Sequence, residues 1–282
     1  MLADAHLHLF SKGYGVPLID SRLGGLPDVA AYERFRQAHG IVAGLVVGYE
    51  ADGIDPDNNR YLRHLAPGHD WLHSLAFRAV RATPDAAWIH DQLAEGHRGL
   101  AIYLPDAAAA QALADWPADV WRVLDDSAAL VSLNARPEAT ALLAPLIAAA
   151  PGCRFLFSHV GLPGRHAAPV PLQALRDRLR PLLALADLDN VHVKISGLYA
   201  ICDPPDLWPQ TTAAAFVAEV LAAFGPGRCL WGSDFSPALQ YLSFEQTVQV
   251  LSGCRLSADE AAQVTAGNLL RLLVQGGHGH GG

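Results

Sequence analysis

The sequence predicts a single (β/α)8 TIM barrel spanning residues 1–275, and three observations point to it. Short β-rich runs recur eight times along the chain, separated by Ala/Leu-rich stretches with helical period. Those runs are near-continuously apolar, the pattern of parallel strands covered on both faces rather than of a half-exposed sheet. The length of 282 residues suits eight strand–helix units, since such barrels run at about 250 residues as one domain. An open doubly wound sheet is the runner-up. It would commonly carry a Gly-rich phosphate turn after its first strand, whereas here that strand runs into His6, His8 and Phe10.

Taken in order, the strand runs are 2–9, 41–47, 71–77, 99–104, 129–133, 154–158, 191–196 and 228–232. Helical periodicity fills the gaps at 28–38, 57–65, 84–95, 107–113, 138–149, 172–185 and 211–224, and returns at 244–251 and 258–273. Strict alternation of the two element types argues for parallel strands joined by right-handed crossovers. The stretches 11–27 and 161–171 are candidate loops over the site. Residues 276–282, Gly-rich with His278 and His280, read as a disordered tail rather than a metal site.

Composition narrows the function. The chain is 51% hydrophobic and 17% charged, enough apolar residue for a sizeable core without staples. A net charge of −8 with no basic stripe argues against nucleic-acid binding. Four cysteines, Cys153, Cys202, Cys229 and Cys254, form no C-x-x-C pair and read as free thiols, mostly buried. The longest apolar stretch, 139–150, is too short to span a bilayer and contains Pro145. The N-terminus lacks the charged and apolar regions of a signal peptide. The expectation is a soluble cytoplasmic protein whose partner is a small-molecule substrate, with no membrane association; its Ala/Leu-rich helices leave a homo-oligomer open.

Barrel enzymes place their chemistry at the C-terminal ends of the strands, so the residues at each exit carry the functional signal. Strand alternation puts Asp4, His6 and His8 on one face. The second strand ends in Tyr49 and Glu50, the third in Arg78, and the fourth in Tyr103. Asn134 and Arg136 follow the fifth, His159 the sixth, Ser196 and Tyr199 the seventh, and Asp234 the eighth. His6, His8, His159 and Asp234 are nitrogen and oxygen donors suited to Zn²⁺ or a similar divalent ion. Asp234 is also placed to take a proton from water. Arg78, Arg136 and the tyrosines suit a substrate carrying carboxylates or several hydroxyls, Arg by its bidentate fork. Each has a plainer reading: hydrogen-bonded barrel-floor or core histidines, an aspartate capping a helix, arginines in ordinary salt bridges.

These residues sit in familiar motifs. Asp4-Ala5-His6-Leu7-His8, Ser158-His159-Val160-Gly161, the run from Val193 to Tyr199, and Trp231-Gly232-Ser233-Asp234-Phe235 resemble the amidohydrolase-related TIM-barrel hydrolases. The closing run Gly267 to Leu272 is similar to that family's last helix, so the resemblance covers residues 2 to about 273. Within the family the chain looks closest to the branch of sugar-lactone and pyrone-dicarboxylate lactonases, chiefly through Lys194-Ile195-Ser196-Gly197-Leu198-Tyr199. The resemblance implies a site made of His6, His8, His159 and Asp234, with the aspartate activating water and His159 beside it in catalysis. It implies one divalent metal ion, zinc first, with a metal-free site as the alternative that some lactonases of this branch adopt.

Two departures bear on mechanism. Dinuclear members carry a bridging carboxylated lysine or a glutamate at the end of strand four, where this chain has Ile102-Tyr103-Leu104; Lys194, on strand seven, does not fill that role. The decarboxylase branch uses a histidine after strand five, where Leu133-Asn134-Ala135-Arg136 stands. The sequence thus points to a hydrolase that opens a lactone, or a related ester or amide, of a small polar or acidic substrate. Arg78, Tyr103, Asn134, Arg136 and Tyr199 are the expected substrate-binding residues. The alternatives are non-oxidative decarboxylation of an aromatic or enoic acid on the same site, and a barrel that binds a metal or metabolite without turning it over.

Overall fold

Each apolar run becomes a strand: β1 Leu2–Leu7, β2 Ile41–Val47, β3 Leu72–Phe77, β4 Gly99–Leu104, β5 Leu130–Ala135, β6 Arg154–Phe157, β7 Val191–Ile195 and β8 Cys229–Trp231. The computed structural model describes residues 1–13 and 26–275. The tail 276–282 and most of the loop 11–27 lie outside the described residues. All seven consecutive pairs are parallel, in the order β1 to β8. The circle closes just beyond β8: the Asp234 amide donates to the His6 carbonyl at 2.8 Å, and Leu7 bridges Phe235 in parallel. The expected (β/α)8 barrel is therefore the observed one.

Parity along the strands sorts side chains into two layers. Ala43, Leu45 and Val47 of β2, Leu75 of β3, Ala101 of β4, Leu130 of β5 and Leu156 of β6 pack into one interior group. Leu269, Leu272 and Leu273 join it from the last helix, Asn268–Gln275, and plug the barrel's lower end. The alternate residues, such as Ile102 and Leu104, Val131 and Leu133, or Val193 and Ile195, face the helices instead. This two-sided burial is why the strands read as unbroken apolar runs.

The helices between strands are α1 Asp28–His39, α2 Asn58–Leu65, α3 Ala86–Ala94, α4 Ala107–Ala114, α5 Ala118–Asp126, α6 Pro137–Thr140, α7 Ala144–Ala149, α8 Leu172–Leu183 and α9 Thr211–Phe224. After β8 come α10 Phe244–Val248, α11 Ala258–Ala262 and α12 Asn268–Gln275. Among the described residues no helix is long and apolar enough to cross a membrane.

Three expectations change. Helix α5 lies between β4 and β5 where only one helix was expected; its buried Val120 and Leu124, one helical turn apart, pack it on the barrel. The stretch 138–149 is two helices rather than one, because Pro145 in the first turn of α7 has no N–H to continue the ladder from α6. The 258–273 helix is interrupted by a π turn at Gln263–Gly267.

Helix α5 ends in a Schellman arrangement: the Ala128 amide bonds the Asp125 carbonyl and the Ala129 amide bonds the Leu124 carbonyl, both at 3.0 Å. The left-handed position that glycine ordinarily fills is held by Ala128, with φ +49°. Ala128→Gly is expected to raise stability by about 1 kcal/mol, the Cβ penalty relieved outweighing the added chain entropy. A urea titration checks it, and a lower midpoint for the variant would contradict the account.

Candidate active site

The site lies at the open mouth, where strand parity and two sharp turns bring buried polar groups together. His6 and His8 extend from the end of β1, their ring centroids 5.1 Å apart. Asp4 does not share their face as alternation suggested. The register of β1 against β2 slips between Asp4 and Leu7, and the Asp4 carboxylate turns to the Tyr32 hydroxyl of α1 at 3.0 Å and the Ser233 amide at 2.9 Å. It ties β1 to the exit of β8 rather than reaching the cavity.

His159 and Asp234 arrive by strained backbone. Among the described residues five non-glycine positions have positive φ, and four belong to the two site turns: His159 (+53°), Val160 (+56°), Leu162 (+51°) and Asp234 (+56°). Left-handed geometry costs about 1–3 kcal/mol per residue and persists where surrounding structure imposes it. A β-branched valine in that region is especially costly. Here it swings the His159 ring to 4.6 Å from the His6 ring.

Three ligand atoms, one each from His6, His159 and Asp234, lie within 4.8 Å of one another, and all three residues are buried. His6 Nε2 is 3.4 Å and His8 Nε2 3.8 Å from Asp234 Oδ1. His8 thus flanks a tighter trio. Its Nδ1–H donates to the Val47 carbonyl at 2.7 Å, which leaves a lone pair on Nε2 facing Asp234. His159 Nδ1 pairs with the Ser196 hydroxyl at 3.1 Å. The other Asp234 oxygen, Oδ2, accepts the Tyr199 hydroxyl at 2.8 Å.

Lys194 is the member that strand reading left without a role. Its neighbours Val193 and Ile195 face the helices, so parity sends the lysine inward, where it is fully buried. Its Nζ donates to Ser132 Oγ at 2.7 Å and lies 3.3 Å from His6 Nδ1, as does Ser158 Oγ. The usable signal was that same alternation, together with the rarity of lysine in a chain that has only one other, Lys12.

Burial dominates the electrostatics. It pushes the Asp234 carboxyl up to about 6, against the pull of His8, the Tyr199 hydroxyl and Lys194. It brings His8 and His159 down to about 4 and holds His6 well below its usual range, with Lys194, His159 and His8 adding to the last. It also draws Lys194 down to about 7, opposed by Asp4 and Asp234. At neutral pH the three imidazoles are uncharged and offer lone pairs. A neutral Lys194 amine can accept the His6 Nδ1–H, leaving the Nε2 lone pair toward Asp234; the ammonium form reverses that tautomer.

This donor set fits a divalent ion. His6 Nε2 is fully buried with no hydrogen-bond partner, close to Asp234 but not aligned with it, and two imidazoles and a carboxylate are ordinary zinc ligands. The remaining rim residues divide. Tyr103 and Asn134 face each other across β4 and β5, and Asn134 and Arg136 line a cavity of about 870 Å³ beside the site. Arg78 is directed away. Phe77 takes the inward position at the end of β3, so the next residue points outward. The Arg78 guanidinium stacks 4.6 Å over Trp88 and donates to the Ala82 and Thr83 carbonyls.

The family model for amidohydrolases matches residues 3–273. The chain belongs to the amidohydrolase family. Solved structures share its barrel. An amidohydrolase from Burkholderia multivorans with bound zinc is 21% identical, with 97% of this chain and 99% of that one covered and a TM-score of 0.74. A probable 2-pyrone-4,6-dicarboxylic acid hydrolase from Acinetobacter baumannii with citric acid bound is 17% identical, covering 97% and 99%, at 0.72. A 5-carboxyvanillate decarboxylase from Sphingomonas paucimobilis is 13% identical, covering 96% and 98%, at 0.61. Comparison with curated protein sequences finds no match. This amidohydrolase thus shares its fold with proteins described as hydrolases and as a decarboxylase.

Proposed function

We propose that the protein is a hydrolase that opens a lactone, or a related ester or amide, with Asp234 as the general base. The observation that carries this reading is the state of that carboxylate: buried, raised to about 6, one oxygen held by Tyr199 and the other facing His6 and His8. With no cation bound, burial leaves this base mostly ionised near neutral pH; a bound cation would hold it ionised, and the carboxylate can still take a proton from water. His6, His8, His159 and Asp234 would hold one divalent ion, zinc by donor type, which when bound supplies Lewis acidity and a more acidic water.

The chain's own residues do the rest. Asp234 Oδ1 accepts a proton from the attacking water and returns it to the leaving oxygen. The Tyr199 hydroxyl fixes Oδ2, so the carboxylate keeps one orientation. Ser196 holds the His159 ring, and Lys194 with Ser158 holds that of His6. Asn134 and Arg136 receive the polar end of the substrate, beside Tyr103. The β5 exit holds asparagine and arginine instead of a histidine, which favours hydrolysis over decarboxylation.

Protein purified without added metal is expected to carry about one equivalent of zinc by elemental analysis, and chelation should abolish turnover on a lactone panel. Activity that survives chelation in metal-free protein would transfer the reading to a metal-free hydrolase. Release of carbon dioxide from a carboxylic-acid panel, without ring opening of any lactone, would replace hydrolysis by decarboxylation.

A further inference from the structure

The barrel mouth is divided. His6, His8, His159, Lys194 and Asp234, from β1, β6, β7 and β8, make a polar half. Across it, the inward positions at the ends of β2, β3 and β4 are all aromatic. Parity carries Val47 to Tyr49, Leu75 to Phe77 and Ala101 to Tyr103, each the next inward residue above the interior core. The three rings form one cluster: Tyr49 to Phe77 at 5.3 Å and 65°, Tyr49 to Tyr103 at 4.9 Å and 61°, Phe77 to Tyr103 at 5.9 Å and 57°. They meet edge to face or tilted, and all three are only partly buried.

A cavity of about 470 Å³ is lined by all three, with Val80, Pro105 and Ala109 among its apolar residues. Arg81, Asp106, Asn134 and Arg136 line it as well. Asp106 already accepts the Ala109 amide at 2.8 Å as the cap of α4. Asn134 and Arg136 stand at its border with the 870 Å³ cavity, which they also line. Hydroxyls set against the ring faces themselves would lose water without a partner there, at a cost of about 1–3 kcal/mol per unsatisfied group. An apolar ring would gain area and edge-to-face contact.

We infer that Tyr49, Phe77 and Tyr103 form a specificity subsite for an apolar, ring-sized group on the substrate, so that the enzyme selects aryl- or ring-bearing lactones and esters over polyhydroxylated ones. This rests on the hydrolase reading for the bond that is cleaved, but the subsite itself is a matter of binding. Asn134 and Arg136 then meet a polar or anionic group at the border of the two cavities, while the cleaved bond lies over Asp234.

The test uses two pairs of compounds. In calorimetry on the wild-type protein, the lactam 3,4-dihydro-2-quinolinone is expected to bind at least about tenfold more tightly than 2-piperidinone. In kinetics, 3,4-dihydrocoumarin should exceed δ-valerolactone and glucono-1,5-lactone in kcat/KM by a similar factor. Phe77→Leu and Tyr103→Leu, which keep apolar volume, should each shrink the aryl preference several-fold, while Tyr103→Phe should preserve it; thermal melts verify folding. Equal lactam affinities, or a preference untouched by both leucine variants, would overturn the subsite. If the lactam preference holds while no lactone is opened, the subsite stands and the hydrolase reading fails. If all three lactones are opened equally and the lactams bind alike, the hydrolase reading stands and the subsite falls.

Discussion

Asp234→Asn is expected to lower kcat by about 10³-fold on any lactone the enzyme opens, within the range that general bases contribute. The substitution is nearly isosteric, so the backbone turn with φ +56° should survive, and an amide oxygen can still accept the Tyr199 hydroxyl. What is lost is the basic oxygen and the negative charge between His6 and His8. The same change weakens the site for a cation, so metal content should fall along with kcat. Thermal stability should change little, because the carboxylate that is removed is one that burial already disfavours. Steady-state kinetics with elemental analysis reads both effects. A variant with wild-type kcat would remove Asp234 from catalysis.

Gly197→Ala should be nearly as damaging from a residue with no chemistry of its own. Gly197 opens the turn after β7 with φ +55°, and a Cβ placed there would lie 2.3 Å from His159 Nδ1 and 2.8 Å from Asp234 Oδ2. Two costs add. The left-handed backbone costs an alanine about 1–2 kcal/mol, and the clash forces His159 and Asp234 apart or tilts both. Misplacement by about 1 Å can cost about 10²-fold in rate, and that loss in kcat/KM is expected here. Gly40 supplies the control. It has φ +64° at the end of α1 with nothing within 4 Å of a built Cβ, so Gly40→Ala should carry the backbone penalty alone and keep activity. Equal behaviour of the two variants in melts and kinetics would show that the steric contact with the site is unimportant.

Much of this molecule was legible in its sequence, for identifiable reasons. A strand buried on both faces must be apolar throughout, so all eight strands stood out. Polar residues at their exits have no place in such a core, and that incongruity marked His6, His8, His159 and Asp234. Helix α5 was missed because it is only nine residues long and follows α4 closely, and the break between α6 and α7 because the weight of Pro145 in an Ala/Leu-rich run was not read. Arg78 was placed at the rim by its position in the chain, yet parity alone would have turned it outward. Lys194 looked merely out of place until alternation put it inside the barrel. Asp4 failed the other way, because alternation was trusted across a slip in the β1–β2 register that no local pattern betrays.

The sequence by itself determined the barrel, the inventory of donors and the strand each donor occupies, since these follow from hydrophobic burial and from alternation along a chain. Only the tertiary structure decided which donors meet. The trio of His6, His159 and Asp234 depends on left-handed turns after β6 and β8, on a glycine that leaves room for the His159 ring and the Asp234 carboxylate, and on barrel closure that sets the first strand against the last. These are contacts between residues far apart in the chain, and their geometry is set by backbone sterics and packing that a linear pattern does not encode.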